Sequence, residues 1–197
     1  VPDSIVSVQD VSYRYPQNGH GVDLEALSIR AGEAIMSTGP SGCGKSTLAR
    51  CLCGLIPHLY RGQMRGSVSI DGLATDEAPL WQIAERVGMV FQNPALQMIA
   101  SSVEEEIVFG LENLGLRRKE IGQRLERALE RFGMHSWRAR SPLALSGGEQ
   151  QQVALAAMVA RRPPVLVLDE PLSMLDAAAA ERLLDHLANL VRDGTTV

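Results

Sequence analysis

The sequence predicts an α/β fold: a core sheet with an antiparallel β part towards the N-terminus and an α-helical subdomain inserted in the middle. Three observations carry this. Short runs of alternating apolar and polar residues fill the first part of the chain, the mark of half-buried strands. From about Asn93 to Leu145 the period lengthens to that of amphipathic helices. At Val165-Leu166-Val167-Leu168 a continuous apolar run, bounded by Pro164 and Asp169, reads as a strand covered on both faces. One domain over residues 1–197 is expected, with its core and antiparallel part in 1–92 and 152–197 and the helical subdomain in 93–151.

The first runs are Ile5 to Val8, Tyr13 to Tyr15 and Leu24 to Ile29, separated by Gly and Asn. Gly32-Glu33 turns into a strand-like run, Ala34-Ile35-Met36, whose continuation Ser37-Thr38 is more polar than a central strand should be. A Gly-rich loop and a helix over Leu48 to Leu52 follow. Gly66 to Gly72 reads as a short strand closing on a turn, and Val87 to Phe91 as a strand ending at Gln92-Asn93-Pro94. Ser102-Val103-Glu104-Glu105 spells the capping box of a helix running to Leu114, with Gly115 as its stop. A second helix sets Ile121, Leu125, Leu129 and Phe132 on one face and ends at Gly133. Ser146 and two glycines open a helix over Gln151 to Val159. The last helix turns Leu183, Leu187 and Leu190 inward and stops near Gly194, after which Thr195-Thr196-Val197 begins one more strand.

The bulk figures exclude several classes. A net charge of −4 and a pI near 5.6 argue against a nucleic-acid surface, which would show a basic excess. Arg117-Arg118-Lys119 is followed on the same helix by Glu120, Glu126 and Glu130, the pattern of a solvated face. The three cysteines, Cys43, Cys51 and Cys53, form no CxxC pair or metal pattern and suit a reducing compartment. No signal peptide opens the chain, and runs such as Val153 to Ala160 are too short to cross a bilayer. A cytosolic protein is expected, and from the start at Val1 rather than Met an engineered stretch or a fragment is expected.

Chemistry concentrates in three places. Gly39-Pro40-Ser41-Gly42-Cys43-Gly44-Lys45-Ser46-Thr47 fits the phosphate-binding loop: glycines let backbone N–H groups converge on a phosphate chain, Lys45 meets its outer oxygens, and the Ser46 hydroxyl can hold Mg²⁺. The helix that follows adds its positive dipole end to the same anion. The buried strand ends in Asp169-Glu170, an acidic pair at the carboxyl end of a core strand. There Asp169 can hold the Mg²⁺ hydration shell and Glu170 can orient a water for in-line attack on a γ-phosphate. Finally, Leu145-Ser146-Gly147-Gly148-Glu149-Gln150 is a second helix start with bare N–H groups and a hydroxyl. Two phosphate-reading helix ends and one nucleotide loop suggest that the second serves a nucleotide held by another copy.

Taken in order, the three stretches resemble the Walker A, signature and Walker B motifs of ABC-type ATPases, and the match covers essentially the whole chain. The resemblance implies a P-loop NTPase (RecA-like) core and a head-to-tail dimer, with two ATP molecules sandwiched between Walker A of one subunit and the signature of the other. It implies that Lys45, Ser46 and Thr47 bind phosphate and Mg²⁺, and that Gln92 is the Q-loop glutamine touching Mg²⁺ and the attacking water. Ser146, with Gly147, Gly148 and Glu149 of the signature, would face the partner's γ-phosphate. Ser173-Met174-Leu175-Asp176 resembles the D-loop, with Asp176 at the dimer interface. Tyr15 sits where the family places an aromatic that stacks on adenine; Tyr13 competes for the role, and a core role for either stands beside it. The family's switch histidine follows the next strand, and none of His20, His58, His135 or His186 holds that place. The stretch as given is therefore expected to bind ATP and hydrolyse it poorly.

Val90-Phe91-Gln92-Asn93-Pro94-Ala95-Leu96-Gln97, the segment Ser102 to Gly115, and Ile56-Pro57-His58-Leu59-Tyr60 are similar to one branch of the family. That branch comprises the ATPase subunits of energy-coupling-factor (ECF) importers of vitamins or transition-metal ions. By this resemblance Gln92 to Glu106 would dock an integral membrane coupling subunit, holding the ATPase on the inner face of the cell membrane. Another ABC transporter class, or a soluble ABC ATPase acting on ribosomes or DNA, is the alternative. The interval from Lys45 to Ser146 leaves room for a small helical subdomain and none for a long coiled coil. A small-molecule kinase would have no use for LSGGEQ.

Overall fold

Val6, Val8, Val11 and Tyr13 are all buried, and the spacing between Val8 and Val11 breaks the two-residue period of a strand. The computed structural model, which describes residues 4–197, accommodates the break with a bulge. Strand β1 (Ser4–Arg14) runs antiparallel to β2 (Gly21–Arg30) and β3 (Gln63–Ile70), and its register with β3 shifts between Gln9 and Ser12. Asp10 takes φ 49° there. Gly66 lies opposite at φ 77°, and a Cβ on it would stand 2.3 Å from the Asp10 carbonyl oxygen. With the short β4 (Leu73–Ala74) the sheet order is β2-β1-β3-β4, so the antiparallel expectation holds, in fewer and longer strands.

Helix α1 (Lys45–Leu52) packs Ala49, Cys51 and Leu52 inward against β2 and β3. The short α2 (Leu55–His58) and α3 (Leu80–Arg86) lead to β5 (Val87–Val90), which pairs with β6 (Val165–Leu168). Val165 and Leu166 are buried, but Val167 and Leu168 are only half-buried, short of the fully covered strand expected. Thr196 adds a parallel bridge to Val165, the strand start expected near Thr195.

The other helices are α4 (Val103–Glu112), α5 (Arg118–Arg131), α6 (Gly147–Arg161) and α7 (Ala177–Arg192). Helix α6 is the hub, with α4 and α5 packed on it, and Val153, Ala154, Leu155, Ala156 and Ala157 are buried in succession. Such near-complete burial follows from small side chains that admit neighbours on several sides. Arg138 ties α4 to α5, donating at 2.6 Å to both Glu104 and Glu126. The expected stops are present: Gly115 at φ 66°, Gly133 at φ 65° and Gly194 at φ 95°.

Three expectations need correcting. Ala34-Ile35-Met36 is not a regular strand among the described residues, although Ile35 N–H donates to Val197 O at 2.8 Å and Val197 N–H donates to Glu33 O at 3.0 Å. Met36 is 85% exposed. The helix after Ser102 ends at Glu112 rather than Leu114, and the one after Ser146 begins at Gly147 rather than Gln151. The chain divides into a β-rich unit (residues up to Met89, Pro164–Asp169, Leu187–Val197) and a helical unit (Val90–Pro163, Glu170–His186). Helix α6 lies whole in the unit of the helices it packs against. The helical unit also takes the segment after Asp169.

Candidate active site

In the β-rich unit the glycines of the loop are conformationally necessary. Gly42 and Gly44 take φ 82° and 102°, and a Cβ on Gly44 would stand 2.7 Å from Gly21 O. Leu48 N–H is the first to bond back, to Gly44 O at 2.8 Å, so the amides of Lys45, Ser46 and Thr47 lie outside the helical ladder. Lys45 Nζ donates to Gly39 O at 3.0 Å and Pro40 O at 3.1 Å, folded over the loop it serves. Pro40, Ser41, Gly42 and Cys43 are exposed, and Thr47 is buried, leaving its backbone N–H at the helix start.

Ser46 Oγ donates to Asp169 Oδ1 at 2.8 Å, and Asp169 is itself buried. Residues 123 apart in sequence thus bring a hydroxyl and a carboxylate together, hard oxygen donors of the kind Mg²⁺ prefers. Tyr13 is fully buried, with its hydroxyl donating to Arg61 O at 2.9 Å; burial raises its pKa above the ordinary 10.0. It has no open ring face. Tyr15 is half-buried, edge-on to Tyr13 at 4.9 Å, and its hydroxyl accepts from Arg50 Nη1 at 2.7 Å. Arg50 in turn lies 5.0 Å from the centre of the Tyr60 ring. Neither partner was expected; Arg50, five residues past Lys45 on α1, was the readable clue.

In the helical unit Gln92 Nε2 donates to Glu170 Oε2 at 2.8 Å, joining two residues that the motifs predicted as separate contributors. Glu170 is exposed and held at φ 47°, a left-handed conformation rare for a side chain with Cβ. Ser146 caps α6 in a full capping box: its Oγ accepts from Glu149 N–H, and Ser146 N–H donates to Glu149 Oε2 at 2.8 Å. Those bonds hold the Glu149 carboxyl below its ordinary 4.5. Gly148 has little spare room, since a Cβ there would meet Leu175 Cδ2 at 3.1 Å; Gly147 would meet Met174 Cε at 3.8 Å. Asp176 is exposed and caps α7, its Oδ1 accepting from Ala179 N–H at 2.7 Å.

Beyond Gln92 the loop exposes Leu96 (81%) and Ile99 (65%). It is pinned by a residue the sequence did not single out. Glu106, buried on α4, accepts from Ile99 N–H and Ala100 N–H, each at 2.9 Å. A carboxylate on the buried stripe of an amphipathic helix was the signal for it.

A family model described as "ABC transporter" matches residues 23–173. The energy-coupling factor transporter ATP-binding protein EcfA1 of Latilactobacillus sakei is 38% identical over 192 residues, covering 97% of this chain and 67% of that protein. A putative ABC transporter ATP-binding protein of Methanosarcina mazei is 39% identical over 193 residues, covering 96% of this chain and 33% of that protein. The chain thus spans about a third of the length of the archaeal relative and about two thirds of EcfA1. The solved structure of cbiO1 from Clostridium perfringens, described as part of the ABC transporter complex cbiONQ, matches with a TM-score of 0.84 at 29% identity. That match covers 98% of this chain and 76% of cbiO1.

Proposed function

Because the chain belongs to the ABC transporter family, we propose that it binds and hydrolyses ATP as one of two head-to-tail ATPase subunits driving an ECF-type importer. The cargo class is a vitamin or a transition-metal ion. The Gln92–Glu170 hydrogen bond is the observation that carries the catalytic part of this reading. A glutamine amide on one carboxylate oxygen orients the other for a water; Glu170 takes the water's proton as the water oxygen bonds the γ-phosphorus in line, and the bond from that phosphorus to the β-phosphate oxygen breaks to release ADP. Lys45 and the loop amides hold the β- and γ-phosphates, and the Tyr15 ring stacks on adenine. Ser46 and Asp169 would hold Mg²⁺, with Gln92 touching it during turnover; the ion supplies charge neutralisation on the phosphates. Ser146, Gly147 and Gly148 present the start of α6 to an ATP bound by the partner subunit, and Asp176 lies at that interface.

The membrane part rests on Leu96 and Ile99. Apolar side chains held outward by a buried carboxylate suit helices of an integral membrane coupling subunit. Among the described residues no helix is long and apolar enough to cross a membrane, so such a subunit would supply the pathway. The ATPase would then sit peripherally on the inner face of the cell membrane. No nucleic-acid partner is proposed.

The test is Glu170→Gln in the full-length protein. ATP turnover should fall at least about a hundredfold, while ATP affinity stays within a factor of about two. Unchanged steady-state hydrolysis would remove Glu170 from the mechanism. Co-purification with a hydrophobic membrane subunit, against co-sedimentation with ribosomes, separates the importer from a soluble ABC ATPase.

A further inference from the structure

In the helical unit, a cleft of about 290 Å³ lies along the start of α5 and the end of α6. Arg117, Lys119, Arg124, Arg127 and Arg162 line it, with Glu120 as its one carboxylate. Glu120 is already committed: Arg124 donates to its Oε1 from Nε at 3.1 Å and Nη2 at 2.7 Å. Arg124 also donates from Nη1 to Arg161 O at 3.0 Å, tying it to the end of α6. Another acid of α5, Glu126, bonds Arg138 instead. The face expected from Arg117-Arg118-Lys119 is solvated as read, and exposed Arg117, Lys119 and Arg127 on it share one concavity with exposed Arg162. This stands out on a chain of net charge −4.

Arg162 adds an independent sign. It terminates α6 at φ 59°, ψ 52°, the left-handed cap that glycine occupies without strain. An arginine in that conformation is less favourable than glycine, and Arg162 is one of the residues that line the cleft. Guanidinium groups offer paired N–H donors matched to the oxygens of a tetrahedral oxyanion, and like charges in one concavity repel until such an anion neutralises them. Arg117, the residue before α5, makes no side-chain cap, so the first amides of that helix add to the same field.

We propose that this cleft is a second anion site, distinct from the nucleotide loop, which binds phosphate groups through Arg127, Arg162, Arg117 and Lys119. The phosphate belongs either to a soluble phosphoanion or to an anionic lipid headgroup. Calorimetry with pyrophosphate, on protein saturated with ADP, probes the first source. Co-sedimentation with phosphatidylglycerol–phosphatidylcholine vesicles, against phosphatidylcholine alone, probes the second.

Arg127→Glu should weaken the binding seen with either probe at least about tenfold while leaving ADP affinity within a factor of about two. Arg118→Glu makes the same charge change just outside the cleft and should leave probe binding within a factor of about two. Arg162→Gly relieves the left-handed strain, so it should hold or raise the melting temperature while weakening the probe about fivefold. That variant decides the matter if Arg127→Glu does not fold. Binding in solution without vesicle enrichment assigns a soluble ligand; enrichment on anionic vesicles that Arg127→Glu removes assigns the headgroup. Failure of both probes, or equal binding by wild type, Arg127→Glu and Arg162→Gly, overturns the proposal. The ADP titration reports separately on the nucleotide loop.

Discussion

Glu170 combines an exposed carboxylate, a hydrogen bond from Gln92 and a left-handed backbone. A residue with Cβ in that region costs roughly 1–2 kcal/mol relative to glycine. Glu170→Gly should therefore raise stability by about 1 kcal/mol, read as a higher melting temperature, and abolish hydrolysis. A glycine variant that melts lower would show that the backbone there is not strained. Side-chain identity was legible at this scale, and environment was not. Tyr13 and Tyr15 lie two apart and so on one face of an extended chain, which left them equivalent as adenine platforms. Only packing separates them: Tyr13 is sealed at 0% exposure, and Tyr15 is half open with Arg50 on its hydroxyl. The Ser46–Asp169 contact was likewise foreseeable only through the motif order, since no local pattern links residues 123 apart.

Two elements show how buried polar groups set local stability. Helix α4 buries Val103, Ile107 and Leu111, and Glu106 shares that stripe because two loop amides need its carboxylate. Glu106→Ala would leave both amides without their acceptor and should cost about 2 kcal/mol. The loss should appear as a lower denaturation midpoint and as faster amide exchange at Ile99 and Ala100; unchanged exchange would refute the pinning role. On α7, His186 stacks at 4.5 Å on Phe132. Burial, then repulsion from Arg131 and Arg182 against a pull from Asp185, holds the imidazole below its ordinary 6.5. The unfolded chain therefore takes up the proton first. His186 contributes stability in full above about pH 6.5, and that stability declines as pH falls through the lower folded pKa. His186→Gln should flatten the fall in melting temperature between about pH 7.5 and 5.5; an unaltered slope would assign it to other groups. The capping residues Ser102 and Ser146 and the glycine stops were legible because caps are local chemistry, while the terminal turns beside them were misplaced by two to four residues. The strand at Ala34-Ile35-Met36 was not legible, since a strand exists only through its pairing with a neighbour, which no local pattern reveals.

For the whole molecule, the sequence order of loop, signature and acidic strand end carried the fold class and the family, because each motif is a contiguous stretch. Helix α6 lies in one unit with α4 and α5, which pack on it. The solvated face expected at Arg117-Arg118-Lys119 is exposed as read; that Arg162 joins it was not legible, because that residue comes from another helix. The chain passes from one unit to the other between Asp169 and Glu170. The nucleotide loop and Asp169 belong to the β-rich unit, while Glu170, Gln92 and the signature helix belong to the helical unit. If the signature serves the partner's ATP, Ser146 should matter for association and not for nucleotide capture by a single subunit. Glu170→Gln protein with Mg-ATP should run as a dimer in light-scattering chromatography. Adding Ser146→Arg, which sets a bulky cation in place of the hydroxyl at the start of α6, should return it to monomer with ATP affinity within a factor of about two. A persistent ATP-dependent dimer would rule out the head-to-tail arrangement through Ser146, and loss of ATP binding by the monomer would place Ser146 in its own subunit's site.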